Sequence, residues 1–537
     1  MREPDGAGTP VHPAPGEPIF GNSTGRSHPG RLLVIIGTLT LIACWLRNFV
    51  LPGVPVLIWG DQLLYANNGA RIVAGQVPYR DFFEFLPAGT DLAYAFLFRA
   101  FGLYLWIPNL VMDVLATAAV LLITIAGFKV LHGHWVALPA LLAAGFGLYG
   151  GMDATHHWFS TVAALAAMVI LLFGTSLRHV AWAGALCGIV ASFTQSKGAL
   201  VTLGFVIYLL WSSKQRVEPA RVRWTRCLLL CGSAFLTFLI VNVHYMLKLG
   251  LAEWCRWVVL FPFRYYPTVP GQTWSAPIID FRSHSGGMKW IGASFLFAAV
   301  PIAYASFLWI MARRRARESD QPWGQLLLIA ITGIAMFLSV APSLSFIRAS
   351  AVSFPATIIL AWQMERASRT FRWAAPAVAA LAALCALDFV IATQRGHWYR
   401  LALPAGPAAV REEGKYELYE WLKEHTHPGQ PYFGISPLSL PLWLRCPAPI
   451  HAPGPWEYYR PEHIARSIAA LETERVPLLV LRRTPAQFEN APGYEPEHAR
   501  ALNDYIRVHY RLTKQFTTGD EVWERVADGR QGEIPSR

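Results

Sequence analysis

Residues 106–128 read WIPNLVMDVLATAAVLLITIAGF, an apolar run of the length that crosses a lipid bilayer. The hydrocarbon core is about 30 Å thick, so a helix needs about 20 such residues to span it. Working outward, further apolar stretches stand at 31–51, 135–150, 158–177, 180–195, 197–212, 227–247, 289–311, 324–342, 350–364 and 373–393. Several are shorter than a full span. The pair at 180–212 reads either as two short helices meeting at Gln195-Ser196-Lys197 or as one broken element. The pattern predicts a multi-pass α-helical membrane protein with about eleven transmembrane helices. Composition agrees, because only 15% of the 537 residues are charged, 54% are hydrophobic and mean hydropathy is +0.34. Soluble domains carry about 25% charged residues. A soluble enzyme is excluded, and so is disorder as the overall class. The 21 Trp fit the same class, since indole rings favour the two membrane interfaces.

Residues 1–30 are rich in Pro, Gly, Ser and Thr without apolar periodicity, and read as a disordered cytoplasmic tail. The first apolar stretch lacks a small-residue cleavage site and is expected to stay as a signal anchor. Lys and Arg gather at 213–226 (Lys214, Arg216, Arg221, Arg223, Arg226), at 312–323 (Arg313, Arg314, Arg315, Arg317) and at 365–372 (Arg366, Arg369, Arg372). The opposite connections, 52–105, 151–157, 248–288 and 343–349, are longer in total and sparser in both. That asymmetry predicts the N-terminus inside and the C-terminus outside. The net charge of +12 reports these loops and implies no nucleic-acid partner. The seven Cys show neither a disulfide framework nor a CxxC metal pattern.

Residues 31–394 are thus expected to form the transmembrane region, and 395–537 a small soluble α/β domain on the outer side. In that tail the expected elements are helices at Lys415–His425, Pro461–Glu474 and His498–Tyr510, and strands at Tyr432–Ile435 and Leu478–Leu481. A closing hairpin of 511–517 and 521–526 turns at Thr518-Gly519-Asp520.

The long loop 52–105 carries WGDQLLY (59–65), NNGARIVAG (67–75) and VPYRDFFEFLPAG (77–89). An acid at the mouth of a span is costly unless hydrated or paired, and such residues are often functional. Asp61 sits there, and serves equally as the cap of a helix over 62–74 or as a catalytic acid. Asp81 and Glu84 share a helical face at i,i+3, or neutralise Arg80 and Arg71. Asp153, His156 and His157 occupy the short loop 151–157. Asp153 would face the same cavity as Asp61, whereas the adjacent histidines, about 100° apart on a helix, suit an interfacial polar loop better than a shared metal. Phe261-Pro-Phe-Arg264-Tyr265-Tyr-Pro267 suits sugar stacking, a lipid-groove rim or the interface belt.

The order of Asp61 after span one, then ARIVAGQVPYRDF (70–82), a Pro-Ala-Gly turn and the amphipathic AFLFRAFG (95–102) resembles the first outer loop of GT-C membrane glycosyltransferases. The nearest are bacterial relatives of protein mannosyltransferases and of the lipid A aminoarabinose transferase. TQSKG (194–198) resembles that family's Lys-Gly pair, and Arg348 followed by Pro355 its Arg-to-Pro spacing before a late span. Departures are Asp61–Gln62 where the family often has Asp-Glu, Leu86-Pro87-Ala88 where it has His-Pro-Pro, and the absence of a D-x-D motif. The resemblance implies an enzyme of the bacterial inner membrane that moves a sugar from a polyprenyl-phosphate donor to a hydroxyl on a lipid-linked glycan, polysaccharide or protein, with inversion. Asp61 would be the base and Asp153 a second acid, while Lys197 and Arg348 would bind the donor phosphate. Tyr65, Tyr79, Arg80, Asp81, Glu84, Arg264 and Tyr265 would line the cavity. No cofactor is firmly implied, and a divalent metal has no acidic motif to hold it. The competing class is a lipid or sugar transporter or flippase. It expects charge at mid-span and inverted repeats, whereas the acids here cluster in loops and no repeat is found.

Overall fold

The computed structural model describes residues 29–58, 60–264, 281, 287–341, 344–368, 370, 372–434, 442–449, 461–482 and 496–526. The chain opens with α1 (Pro29–Asn48), a minimal hairpin of β1 (Phe49–Val50) and β2 (Val54–Pro55), and two loop helices, α2 (Asp61–Val73) and α3 (Gly89–Phe101). A helical bundle follows: α4 (Trp106–Gly127), α5 (Leu138–Leu142), α6 (His156–Phe173), α7 (Leu177–Phe193), α8 (Gln195–Gln215) and α9 (Ala220–Leu249). After the short α10 (Leu251–Cys255) and α11 (Phe261–Arg264) come α12 (Gly287–Arg314), α13 (Trp323–Val340), α14 (Phe346–Val352), α15 (Phe354–Ala367) and α16 (Ala374–Gln394).

Among the described residues eight helices, α1, α4, α6, α8, α9, α12, α13 and α16, are long and apolar enough to cross a membrane. The protein is a multi-pass α-helical membrane protein. Every apolar stretch of the sequence falls on a helical segment, but three are short or broken. The helix α7 is apolar but has 17 residues. Around α5 a π-turn (Ala143–Gly147) and a 3-10 turn (Leu148–Gly150) distort the helix. At 346–367 the break falls at Ser353, because Pro355 has no N–H to continue the ladder of α14 and fits the first turn of α15 instead. The 180–212 region is two helices meeting at Thr194.

Packing distributes the apolar surface. Leu228, Phe235, Leu236, Ile240 and Leu247 of α9 point outward, as a lipid-facing helix requires. In the loop, α3 buries Tyr94 and Phe98 while exposing Phe96 and Phe101. It lies directly on α2 because Gly69 has no side chain: a Cβ there would stand 2.5 Å from that of Tyr94.

The tail begins with the antiparallel hairpin β3 (Tyr399–Leu403) and β4 (Gly406–Val410), which was not foreseen. Then come α17 (Glu413–His425), β5 (Tyr432–Gly434), α18 (Pro461–Thr473), β6 (Leu478–Arg482), α19 (Pro496–His509), β7 (Tyr510–Gln515) and β8 (Asp520–Arg525). The sheet order is β5-β6-β8-β7, with β5 and β6 parallel and the other pairs antiparallel. Phe433, Ile464, Leu471, Leu479, Leu502 and Ile506 form the core of this unit. A buried ion pair, Lys415 to Asp520 at 2.9 Å, ties α17 to the β7–β8 turn.

The tail also grips the loop 52–105. The N–H groups of Leu57 and Leu105 donate to the carbonyls of Ala409 and Ala405, both at 2.9 Å. Farther along, Phe83 N–H donates to Pro449 O at 2.8 Å, and Arg71 Nη2 to Ala448 O at 2.8 Å. Gln76 Nε2 reaches Cys446 O at 3.4 Å.

Candidate active site

Gly60, at φ 115°, turns the chain into α2, so Gly60 is the cap and Asp61 the first helical residue. The cap reading of Asp61 is thereby corrected. Asp61 is exposed to solvent although many protein atoms crowd around it. Burial raises its pKa and the charge of Arg348 opposes that rise. The positive end of the α2 dipole favours the ionised form as well.

Asp153 faces the same place. It is buried, its Oδ1 has no hydrogen-bond partner among the described residues, and its carboxyl is pushed up to about 8. Burial is the main cause, the charge of Asp61 adds to it, and Arg348 pulls the other way. Both acids feel the same arginine, and the negative charge of Asp61 favours the protonated form of Asp153.

Arg348 lies on α14, where Ser345 caps the helix by accepting the Arg348 N–H at 3.3 Å. Its charge reaches Asp61, Asp153, His156 and His157, so the sequence-predicted acids and this cation converge. One turn along α2 from Asp61, the Tyr65 hydroxyl pairs with His156 Nδ1 at 2.7 Å. The histidines are not an interfacial loop: both are buried, they open α6, and their rings lie 3.9 Å apart. The loop 151–155 is pressed beneath α2 and α3, which removes them from water.

Lys197 differs from expectation. It is fully buried, and its ammonium donates to His157 O at 3.0 Å, Ser160 Oγ at 2.8 Å and Thr161 Oγ1 at 3.2 Å. An ammonium has three N–H bonds, and all are used. It neither reaches toward headgroups nor presents a donor to a cavity; it is a charge behind the histidines.

The remaining loop residues divide. Tyr79 is buried at φ 67°, with its hydroxyl donating to Leu86 O at 2.6 Å. Asp81 pairs with Arg80 at 2.8 Å and accepts the Val77 N–H at 2.8 Å, a surface turn. Glu84 pairs with neither arginine. Its Oε1 accepts the N–H groups of Phe85 and Leu86 at 2.8 and 2.9 Å, and its Oε2 accepts Asn68 Nδ2 at 3.2 Å. Beside it lies Asp91, which the sequence reading passed over. Burial raises the pKa of both carboxyls, and the charge of Glu84 also raises that of Asp91. Arg264 ends α11 and is exposed; Tyr265 lies outside the described residues. Gln62 was noted only as a departure from the family's Asp-Glu pair, and Asn109 was passed over although an amide at the start of an apolar span was a readable signal. Among the described residues no group of three or more His, Cys, Asp or Glu gathers as a metal ion would need.

No family model and no curated protein matches the sequence. Solved structures do match in fold. A crystal structure of ArnT from Cupriavidus metallidurans bound to undecaprenyl phosphate superimposes with a TM-score of 0.57 at 14% identity, over 93% of this chain and 98% of that one. The apo structure of the same protein gives 0.58 at 15% identity, over 93% and 99%. The chain shares the fold of ArnT from Cupriavidus metallidurans over most of its length.

Proposed function

We propose that this protein is an integral membrane glycosyltransferase that moves a sugar from a polyprenyl-phosphate donor to an acceptor hydroxyl at the outer face of the bacterial inner membrane. The observation that carries the reading is the convergence of Asp61, Asp153 and Arg348 on one site. They do so in a fold shared with a protein solved with undecaprenyl phosphate. In this reading the N-terminus is cytoplasmic and the tail after 395 lies outside.

The acceptor oxygen attacks the anomeric carbon from the face opposite the phosphate, so the configuration inverts. The new C–O bond forms as the bond to the phosphate oxygen breaks, and the acceptor proton passes to Asp61. The leaving phosphate gains charge as it departs, and the guanidinium of Arg348 meets it through a planar fork. Phosphate leaves readily enough that no general acid is needed. Asp153, protonated at neutral pH, donates a hydrogen bond that orients a substrate hydroxyl. Lys197 acts at second hand, holding the backbone of His157 and adding positive field beneath the site.

The test is a panel of labelled undecaprenyl-phosphate pentoses and hexoses given to the detergent-purified protein, read as labelled acceptor and released undecaprenyl phosphate. Asp61→Asn should lower turnover by about 10²–10⁴ while the protein still folds. No transfer from any donor, or an Asp61→Asn variant as active as the parent, rejects the proposal.

A further inference from the structure

Gln62, beside the proposed base, is buried and uses both ends of its amide. Its Oε1 accepts the backbone N–H of Ala154 at 2.7 Å, and its Nε2 donates to Asn109 Oδ1 at 3.0 Å. Asn109, also buried, donates in turn to the carbonyls of Asn48 and Val56, both at 2.8 Å. The direction of this chain is fixed at each end by backbone groups that cannot reverse. Ala154 N–H only donates, and the carbonyls of Asn48 and Val56 only accept. Each linking residue must therefore accept on one side and donate on the other, which an amide does and a carboxylate does not. Asn48 extends the line by donating to Asp113 Oδ1 at 2.6 Å within α4. The carbonyl of Ala154 is held as well, by the Tyr94 hydroxyl of α3 at 2.7 Å.

Ala154 follows Asp153, and Gln62 follows Asp61. We propose that Gln62 is a positioning residue: its amide straps the Asp153 loop to the start of α2 and to α4, and so sets the separation of the two acids. The inference rests on the roles given to Asp61 and Asp153 above. Without the strap the loop 151–155 keeps its packing and, among the described hydrogen bonds to other segments, the one from Tyr94 to the Ala154 carbonyl, and Asp153 is freer to drift relative to Asp61. A displacement of about 1 Å at a reacting centre costs on the order of 10²-fold in rate.

Two full-length variants separate the ends of the strap. Gln62→Leu keeps the bulk and loses both bonds; Gln62→Glu keeps the acceptor for Ala154 N–H and loses the donor to Asn109. Hydrogen exchange followed by mass spectrometry should show the peptide over 151–155 exchanging about fivefold faster or more in Gln62→Leu. In Gln62→Glu the same peptide should stay near the parent rate. With the donor panel, kcat per folded protein should fall about 10- to 100-fold in Gln62→Leu, with donor KM within about twofold. Gln62→Glu should move the acidic limb of the pH profile upward, since a new negative charge beside Asp61 favours its protonated form. Equal exchange in parent and Gln62→Leu, or loss of protection in both variants, overturns the strap whatever the activity. Normal exchange behaviour with an inactive parent overturns the proposed function alone. A deprotected Gln62→Leu with parental kcat and pH profile keeps the bond but removes its catalytic meaning, and so overturns the inference.

Discussion

The substitution Asp153→Asn should erase the alkaline limb of the pH profile and leave the acidic limb in place. Burial, with the charge of Asp61 added, pushes the Asp153 carboxyl up to about 8. About nine in ten of these side chains then carry the proton at pH 7, and about one in ten at pH 9. If the proton is what orients the substrate, kcat/KM of the parent falls about tenfold between those two values. The amide of the variant presents an N–H at every pH, so its profile stays flat over the same interval. Stability follows the same titration. The folded carboxyl titrates near 8 and the unfolded one near 3.9, so the folded state alone holds this proton in the window between them. The stability attached to that proton is lost as pH rises through the window, and Asp153→Asn lacks the slope. Relative to the parent, the variant should therefore melt higher at pH 9 than at pH 4.5. The assay is initial rates with labelled donor from pH 5.5 to 9.5, normalised to folded protein, beside melting curves in the same buffers. A parent without the alkaline fall, or an Asp153→Asn variant that keeps it, refutes the assignment.

Arg348→Ala should raise donor KM about 10- to 100-fold and shift the acidic limb to higher pH, because Arg348 holds the Asp61 pKa down. Steady-state kinetics across pH tests both, and Arg348→Lys should recover only part, lacking the planar fork. Lys197→Met should leave donor KM within about twofold of the parent, since all three N–H bonds are internal; a tenfold rise in KM would place the ammonium on the phosphate. Cysteine-accessibility labelling should find residues 213–226 and the tail after 395 on opposite sides of the membrane, and the same side for both would reverse the proposed orientation.

The bundle was legible because a bilayer demands long apolar runs, and the sequence shows them as unbroken text. Interruptions were less so. Pro355 announces the break at Ser353, but nothing local announces the π-turn at Ala143–Gly147. In the tail, a short apolar run revealed β6 and the Thr518-Gly519-Asp520 turn the β7–β8 hairpin, whereas Pro404 and Pro407 hid the β3–β4 hairpin, whose strands tolerate proline because the pair is narrow. Asp61 stood out by its place at the mouth of a span, and Arg348 by its resemblance to the family's Arg-to-Pro spacing. His156 and His157 were misplaced because α2 packs over the 151–155 loop and the start of α6, a contact between segments about 90 residues apart, and Lys197 because it packs into α6, about 40 residues away; no local pattern carries either contact.

The grip of the tail on the first long loop orders events in time. Arg71 on α2 donates a buried hydrogen bond to the carbonyl of Ala448, 377 positions farther along the chain. A nascent protein threads its helices into the bilayer long before the ribosome has made that partner. Until then the helix that begins at Asp61 lacks its anchorage at Ala448, and Phe83 lacks Pro449. A segment translated late is thus the one that finishes the first, and a chain stalled short of residue 449 would sit in the membrane with its acids present and their scaffold open.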